Sequence, residues 1–375
     1  MNFGKTTHSV IIGAAQKMSQ IKDQSIELVV TSPPYPMIEM WDEIMAKQNP
    51  EIRTALNDNN GFLAFELMHS ELDKVWAEVE RTLIPGGFAC INIGDATRTV
   101  NGEFALYPNH SRIISAFQKL GVSNLPNILW RKQTNAPNKF MGSGMLPSGA
   151  YVTLEHEWIL IFRKGGKRQF KTESDKLRRK ESSFFWEERN TWFSDLWDLK
   201  GKKQKIDNSE TRNRSAAYPF ELPYRLVNMY SLQGDIVLDP FLGTGTTAVA
   251  AIAANRNSIG YEIDPAFLDI IIDNLESTSI NSINSYIQNR IDQHKLFIIA
   301  RKADPGKDEI KHYNENLKMQ VMTSQETGIK FSYLNNVQKK STYQVAAEYV
   351  ELKPAATLHE TVKSKKKNLQ STTDL

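Results

Sequence analysis

Residues 235–264 read DIVLDPFLGTGTTAVAAIAANRNSIGYEID. The run 235–240 is a short apolar strand, Gly243-Thr244-Gly245 a turn, the alanine-rich stretch from Thr246 to about Asn255 a helix, and 257–264 a second strand. Together they make a βαβ unit, whose crossover implies parallel strands. The rhythm continues upstream with a strand at 25–31, a helix at 71–83, a strand at 88–94, a helix at 110–120 and strands at 127–130 and 156–163. A helix at 219–230 leads into the quoted segment. The predicted fold class is α/β, a twisted, mostly parallel sheet that binds ligands at the carboxyl ends of its strands. Beyond Pro265, one or two helices reach about Ala300, short strands between 317 and 352 suggest a small appended unit, and the lysine-rich tail reads as disordered.

Composition narrows the function classes. The 375 residues carry 46 Lys+Arg against 43 Asp+Glu, too balanced for a histone-like polycation or an acidic tail protein. A single cysteine, Cys90, excludes an intramolecular disulfide framework and any zinc site needing two thiolates, which suits a reducing compartment. The histidines show no metal-ligand spacing. No basic leader with a long apolar region and no run of about 18 apolar residues occurs, so a soluble intracellular protein with no membrane association is expected. Charge is locally concentrated: residues 163–180 hold nine basic and two acidic side chains, followed by Phe184, Phe185, Trp186, Trp192, Phe193 and Trp197.

The glycine turn fits a G-x-G-x-x-A fingerprint, with Glu262 placed to hold ribose hydroxyls. Asp239 argues against a dinucleotide. A carboxylate at the strand tip repels a pyrophosphate but attracts the ammonium or sulfonium of S-adenosyl-L-methionine. No Walker lysine follows, so an ATPase is excluded. A nicotinamide-dependent oxidoreductase, or a turn serving only tight strand-to-helix packing, stays open on this segment alone.

Thr31-Ser32-Pro33-Pro34-Tyr35 ends another strand. Two prolines freeze the backbone and remove two N–H donors, leaving an array of acceptors. An exocyclic amine of a nucleobase could give its two N–H groups to the Ser32 hydroxyl and the Pro33 carbonyl, freeing its lone pair to attack a methyl group held in line. Tyr35 offers a face for a base turned out of a duplex. A proline-rich strand exit with a core tyrosine is the plainer alternative.

TSPPY (31–35) and DPFLGTGTT (239–247) resemble the catalytic and cofactor motifs of the amino-methyltransferases of restriction-modification systems. LIPGGFACINIGD (83–95), HEWILIFRKG (156–165) and YPFELPYRLV (218–227) are similar to the blocks between them, so most of 8–275 is covered. The order, catalytic half first, is that of the circularly permuted beta group. The resemblance implies a class I S-adenosylmethionine-dependent methyltransferase fold with a target-recognition insertion. It divides the chain into a catalytic half (1–165), a recognition region (166–217), a cofactor half (218–300), a C-terminal extension (301–360) and a tail (361–375).

The resemblance also assigns roles. Asp239, Gly243, Gly245 and Thr246 would line the methionine end of S-adenosylmethionine, Phe241 would pack on it, Glu262 would grip the ribose, and Phe220 would help close the pocket. Ser32, Pro33, Pro34 and Tyr35 would hold the target amine. Asp95, at the tip of the 88–94 strand, would reach the same cleft and take up the released proton, a surface turn aspartate being the alternative. Lys167, Arg168, Arg178, Arg179, Lys202, Lys203 and Arg212 would hold double-stranded DNA, sharing recognition with the insertion 37–70, the loop 133–150 and the appended C-terminal unit. Serine at the head of the motif resembles the cytosine-N4 subset, with adenine-N6 the runner-up. Cys90 lies mid-strand without a preceding proline, which disfavours carbon-5 chemistry. A cognate restriction endonuclease would be the genetic partner, in the cytoplasm of a prokaryote. A non-catalytic DNA-binding module on the same scaffold is the remaining alternative.

Overall fold

The computed structural model describes residues 4–132, 141–200 and 218–352. The amino-terminal half contains β1 (Lys5–Ile12), β2 (Ile26–Thr31), α1 (Asp42–Gln48), α2 (Glu51–Asn57), α3 (Gly61–Thr82), β3 (Leu83–Ile93), the hairpin β4 (Ala96–Val100) and β5 (Glu103–Tyr107), α4 (Asn109–Lys119) and β6 (Ser123–Lys132). Two short strands, β7 (Met141–Gly142) and β8 (Ala150–Tyr151), precede β9 (His156–Arg163), α5 (Glu173–Glu181), α6 (Trp186–Trp192) and β10 (Leu196–Leu199). Then come α7 (Glu221–Tyr230), β11 (Ile236–Asp239), α8 (Thr246–Ala253), β12 (Asn257–Glu262), α9 (Phe267–Glu276) and α10 (Ile280–Ala303). The chain finishes in β13 (His312–Asn314), β14 (Met319–Val321), β15 (Ser332–Ser341) and β16 (Gln344–Glu351).

Ten strands form one sheet in the order β10-β6-β9-β3-β2-β11-β12-β1-β16-β15. Only β9 and β16 run against the other strands of this sheet. Alternating side chains split between two cores, as the pleat requires. Leu28, Val30, Cys90 and Ile161 face α7, α8, α9 and α10, whereas Val29, Ala89, Ile91, Leu160 and Phe162 face α1 to α4.

Three segments differ from the sequence reading. Helix α3 begins at Gly61, ten residues before the expected start, capped by the Asn60 side chain accepting from Leu63 N at 3.1 Å. Its apolar face, Phe65, Met68, Leu72, Val75, Trp76 and Val79, is buried without interruption. The amino-terminal apolar patch is β1, a parallel neighbour of β12 with Thr6, His8 and Val10 facing inward. The hairpin β15–β16 is not a separate appendage, because β16 pairs antiparallel with β1 and carries the main sheet outward. The expected tail falls outside the described residues. Among the described residues no helix is long and apolar enough to cross a membrane.

Candidate active site

Strands β2 and β11 lie side by side, with Leu28 opposite Val237 and Val29 opposite Leu238, so their carboxyl ends finish together. The two motif loops leave from those ends and open into one crevice of about 1050 Å³ of empty space, counting its open mouth. Ser32, Pro33, Pro34 and Tyr35 line it with Asp239, Phe241, Gly243, Thr246 and Glu262. A direct contact joins the loops: Thr31 Oγ1 donates to Asp239 Oδ1 at 2.6 Å.

On the glycine-loop side, position is set by the main chain. Gly243 has φ of 54°, a left-handed conformation that costs a side-chain-bearing residue energy, and a Cβ built on it would project into open space. Its N–H donates to Glu262 Oε2 at 2.9 Å, and Asp264 N donates to Glu262 Oε1 at 3.0 Å. Burial, only partly offset by these two donors, pushes the Glu262 carboxyl up to about 7. Gly245, at φ of 89°, caps α8 and is not a lining residue. Asp239 is 2% exposed and accepts from Thr31, from Thr247 Oγ1 at 2.6 Å and from Phe241 N at 3.0 Å. Burial raises its carboxyl above the usual range, while these donors, with Tyr218 close by, favour the anion. Asp239 is therefore a strut between the two loops as well as a wall of the crevice.

On the Tyr35 side, position is set by side chains. Tyr35 Oη donates to Glu157 Oε2 at 2.9 Å and accepts from Asn92 Nδ2 at 2.8 Å. Asn92 Nδ2 also reaches Glu157 Oε2 at 2.6 Å, and Lys132 closes an ion pair on Glu157 Oε1. Burial and the neighbouring Glu157 hold the Tyr35 phenol well above its ordinary pKa, so it stays protonated. With that proton committed to Glu157, the Ser32 hydroxyl, 3.1 Å from Tyr35 Oη, is free to donate to it, and Ser32 Oγ, which Asn92 Nδ2 approaches at 3.5 Å, retains a lone pair for a ligand. The Tyr35 ring rests on Gly94, where a Cβ would stand 3.0 Å from Cε2. Asn92, Lys132 and Glu157 escaped the sequence reading because each comes from a different strand and none belongs to the Pro-Pro-Tyr motif.

The insertion after Tyr35 supplies part of the wall through Trp41, Ile44 and Gln48. Its helix α1 is tied to the β4–β5 hairpin by two Arg98–Asp42 hydrogen bonds at 2.9 and 2.7 Å. Gly13, Ala15 and Gln16, which follow β1, form another wall, so the amino terminus belongs structurally to the glycine-loop side. Tyr218 lines the crevice and hydrogen-bonds Thr247, whereas Phe220 turns away to stack on Tyr224, ring centroids 5.3 Å apart. Tyr218 therefore occupies the place expected for Phe220.

Other expected residues are elsewhere. The Asp95 carboxylate accepts from His110 N at 3.1 Å and pairs with the His110 ring at 2.7 Å, outside the crevice lining. Lys167, Arg168, Arg178 and Arg179 come after β9, which runs backwards, and so reach the opposite, amino end of the sheet. There Arg168 and Arg178 pair with buried Asp235 at 2.6 and 3.3 Å. Lys202, Lys203 and Arg212 lie outside the described residues. Glu187, His294 and Glu326 come within 4.8 Å of one another, but His294 is accounted for by Glu187 at 2.8 Å and the Gln320 carbonyl at 3.0 Å.

A family model described as DNA methylase matches residues 26–273, from β2 to α9 and so across both loops of the crevice. The chain belongs to the DNA methylase family. This methylase is 51% identical over 352 residues to the type II methyltransferase M.MthZI of Methanothermobacter thermautotrophicus, covering 93% of this chain and 97% of that one. It is 53% identical over 277 residues to the type II methyltransferase M.MjaI of Methanocaldococcus jannaschii, covering 71% and 90%. Among solved structures it resembles TTHA0409 of Thermus thermophilus, a candidate DNA modification methylase complexed with S-adenosyl-L-methionine, at 32% identity and TM-score 0.54, covering 70% and 92% of the two chains. The expected methyltransferase fold, with its mostly parallel sheet, is the observed one.

Proposed function

We propose that this DNA methylase transfers a methyl group from S-adenosyl-L-methionine to the N4 amine of a cytosine turned out of double-stranded DNA. The observation that carries the reading is the convergence of Ser32 and Tyr35 with Asp239 and Glu262 on one crevice. The sulfonium cofactor supplies an electrophilic methyl group when bound. Residues of the chain fit it: Gly243 leaves room for close approach, the Glu262 carboxylate lies at the tip of β12 for a ribose diol, and two acidic groups favour a cation.

Ser32 Oγ, its own proton directed to Tyr35, accepts one N–H of the target amine and orients the nitrogen lone pair towards the methyl group. Tyr35 presents its ring to the base. After transfer, the amine proton passes to Ser32 Oγ as the Ser32 proton moves to Tyr35 Oη and the Tyr35 proton to Glu157 Oε2, a line of contacts of 3.1 and 2.9 Å. Glu157 replaces Asp95 in that role. Serine at the motif head supports cytosine-N4, since its neutral hydroxyl resembles the N4 subset; adenine-N6 is the alternative. By the naming of its relatives, the enzyme would serve a restriction-modification system with a cognate endonuclease, in the cytoplasm.

Sequencing of modified bases in plasmid DNA from cells expressing the chain tests this. N4-methylcytosine within one short recurring sequence is the expected result. Methyladenine alone would overturn the base assignment, and unmodified DNA from protein that binds S-adenosylhomocysteine would overturn the activity.

A further inference from the structure

The basic stretch after β9 builds a second cleft, with about 2660 Å³ of empty space counting its mouth, at the amino end of the sheet. Strand β2 connects the two sites: Glu27 lines this cleft and Ser32 the catalytic crevice, five residues or about 16 Å apart at the rise of a strand. Its Lys167, Arg179, Lys180 and Arg189 are exposed, and among the described residues no carboxylate stands within ion-pair distance of them. The two carboxylates in the lining are already engaged. Glu27 accepts from Ile236 N at 2.8 Å, and Glu326 from Trp186 N at 2.9 Å and Thr323 N at 2.7 Å.

Aromatic rings are interleaved with these cations. The Arg179 guanidinium lies 4.8 Å from the Phe170 ring centre and that of Arg189 5.7 Å from Phe193. Trp186 and Phe193 are 40% and 39% exposed; Trp186 packs on Phe297 and Phe193 on Phe184, and the rest of each ring is open to solvent beside a dense positive field. A guanidinium against a ring keeps N–H donors for phosphate oxygens, and a ring face stacks on any base. A duplex hides its base faces and would leave these rings unused. We propose that this cleft is a second, non-catalytic site for single-stranded nucleic acid, bound through phosphates and stacking with little sequence preference.

Fluorescence anisotropy of the full chain with a labelled oligodeoxythymidine of 16 nucleotides, titrated at several salt concentrations, tests it. Lys180→Glu with Arg189→Glu should weaken binding at least ten-fold and flatten the log–log salt dependence by about 1.4, two phosphate contacts at 0.7 each. Phe193→Ala should weaken it about five-fold or more. Methyl transfer to a short duplex should stay within two-fold in the charge variant, and saturating duplex with S-adenosylhomocysteine should not displace the oligonucleotide. The charge pair is exposed, so the test stands should Phe193→Ala fold poorly. Unchanged affinity in the charge variant, or displacement of the oligonucleotide by the duplex, would overturn the second site. Neither outcome touches the methyl-transfer reading, which is scored on the duplex.

Discussion

Across the catalytic crevice, one wall is made by the chain's own path and the other by distant side chains. The glycine loop owes its shape to a positive φ at Gly243 and to N–H groups that meet Glu262. The Pro-Pro-Tyr loop is stiff in itself, but the aim of Ser32 and Tyr35 depends on Asn92 of β3, Glu157 of β9 and Lys132 of β6. Backbone-built sites resist single substitutions away from their glycines, whereas polar networks fail when a single member is lost. Damage to the two walls should therefore be separable, except at Asp239, which braces both.

The largest effect is expected at that brace. Asp239→Ala strands the Thr31 hydroxyl and the Phe241 N–H and leaves the Thr247 hydroxyl to Tyr218 and the Val30 carbonyl, and should cost about 2–4 kcal/mol of stability, in line with two buried groups unsatisfied at once. Urea unfolding should show the loss, and calorimetry should show S-adenosylhomocysteine binding abolished. Binding lost at unchanged stability would reduce Asp239 to a ligand contact.

Glu157→Gln comes next, because it removes the proposed proton acceptor and loosens Tyr35 without touching the glycine loop. We expect kcat on duplex DNA to fall about a hundred-fold, the upper part of the usual loss for a general base being about 10⁴, with S-adenosylhomocysteine affinity within three-fold of the parent. An equal fall in both would show that the walls are not independent. Gly243→Ala should do the reverse: about 1 kcal/mol of strain, a cofactor affinity weakened at least ten-fold, and little change in DNA binding in a gel-shift assay.

The smallest effect concerns pH. Glu262 has its carboxyl raised to about 7, and ribose hydroxyls donate best to the ionised form. Binding should therefore release a proton and tighten as pH rises, by about ten-fold between pH 6 and pH 8, following the ionised fraction. Glu262→Gln should bind more weakly and lose the slope. A parent protein with equal affinity at both pH values would remove Glu262 from the cofactor site.

The same contrast explains what could be read before the fold was known. Strands β2, β9, β11 and β12 and the glycine turn are local patterns, and each sits within one or two residues of its expected place. Phe220 and Asp95 failed because a motif fixes position along the chain but not the direction of a side chain two residues away: Tyr218 faces the crevice, and Asp95 is captured by His110. The basic run misled for a topological reason. Arg163 ends a strand that runs opposite to its neighbours, so the segment after it emerges at the far end of the sheet. Local charge density carries no information about strand direction. Glu157 lies within the block 156–165, but only pairing with β3 brings it to Asn92 and Tyr35.

The Thr31–Asp239 contact closes across 208 positions of chain. At 5–20 residues per second on a ribosome, its two partners emerge about 10 to 40 s apart. During that interval the nascent polypeptide has its Pro-Pro-Tyr loop but not the glycine loop, and a product interrupted before β11 would lack one wall of the crevice. Translation to the last βαβ unit thus acts as a timer on when modification can begin.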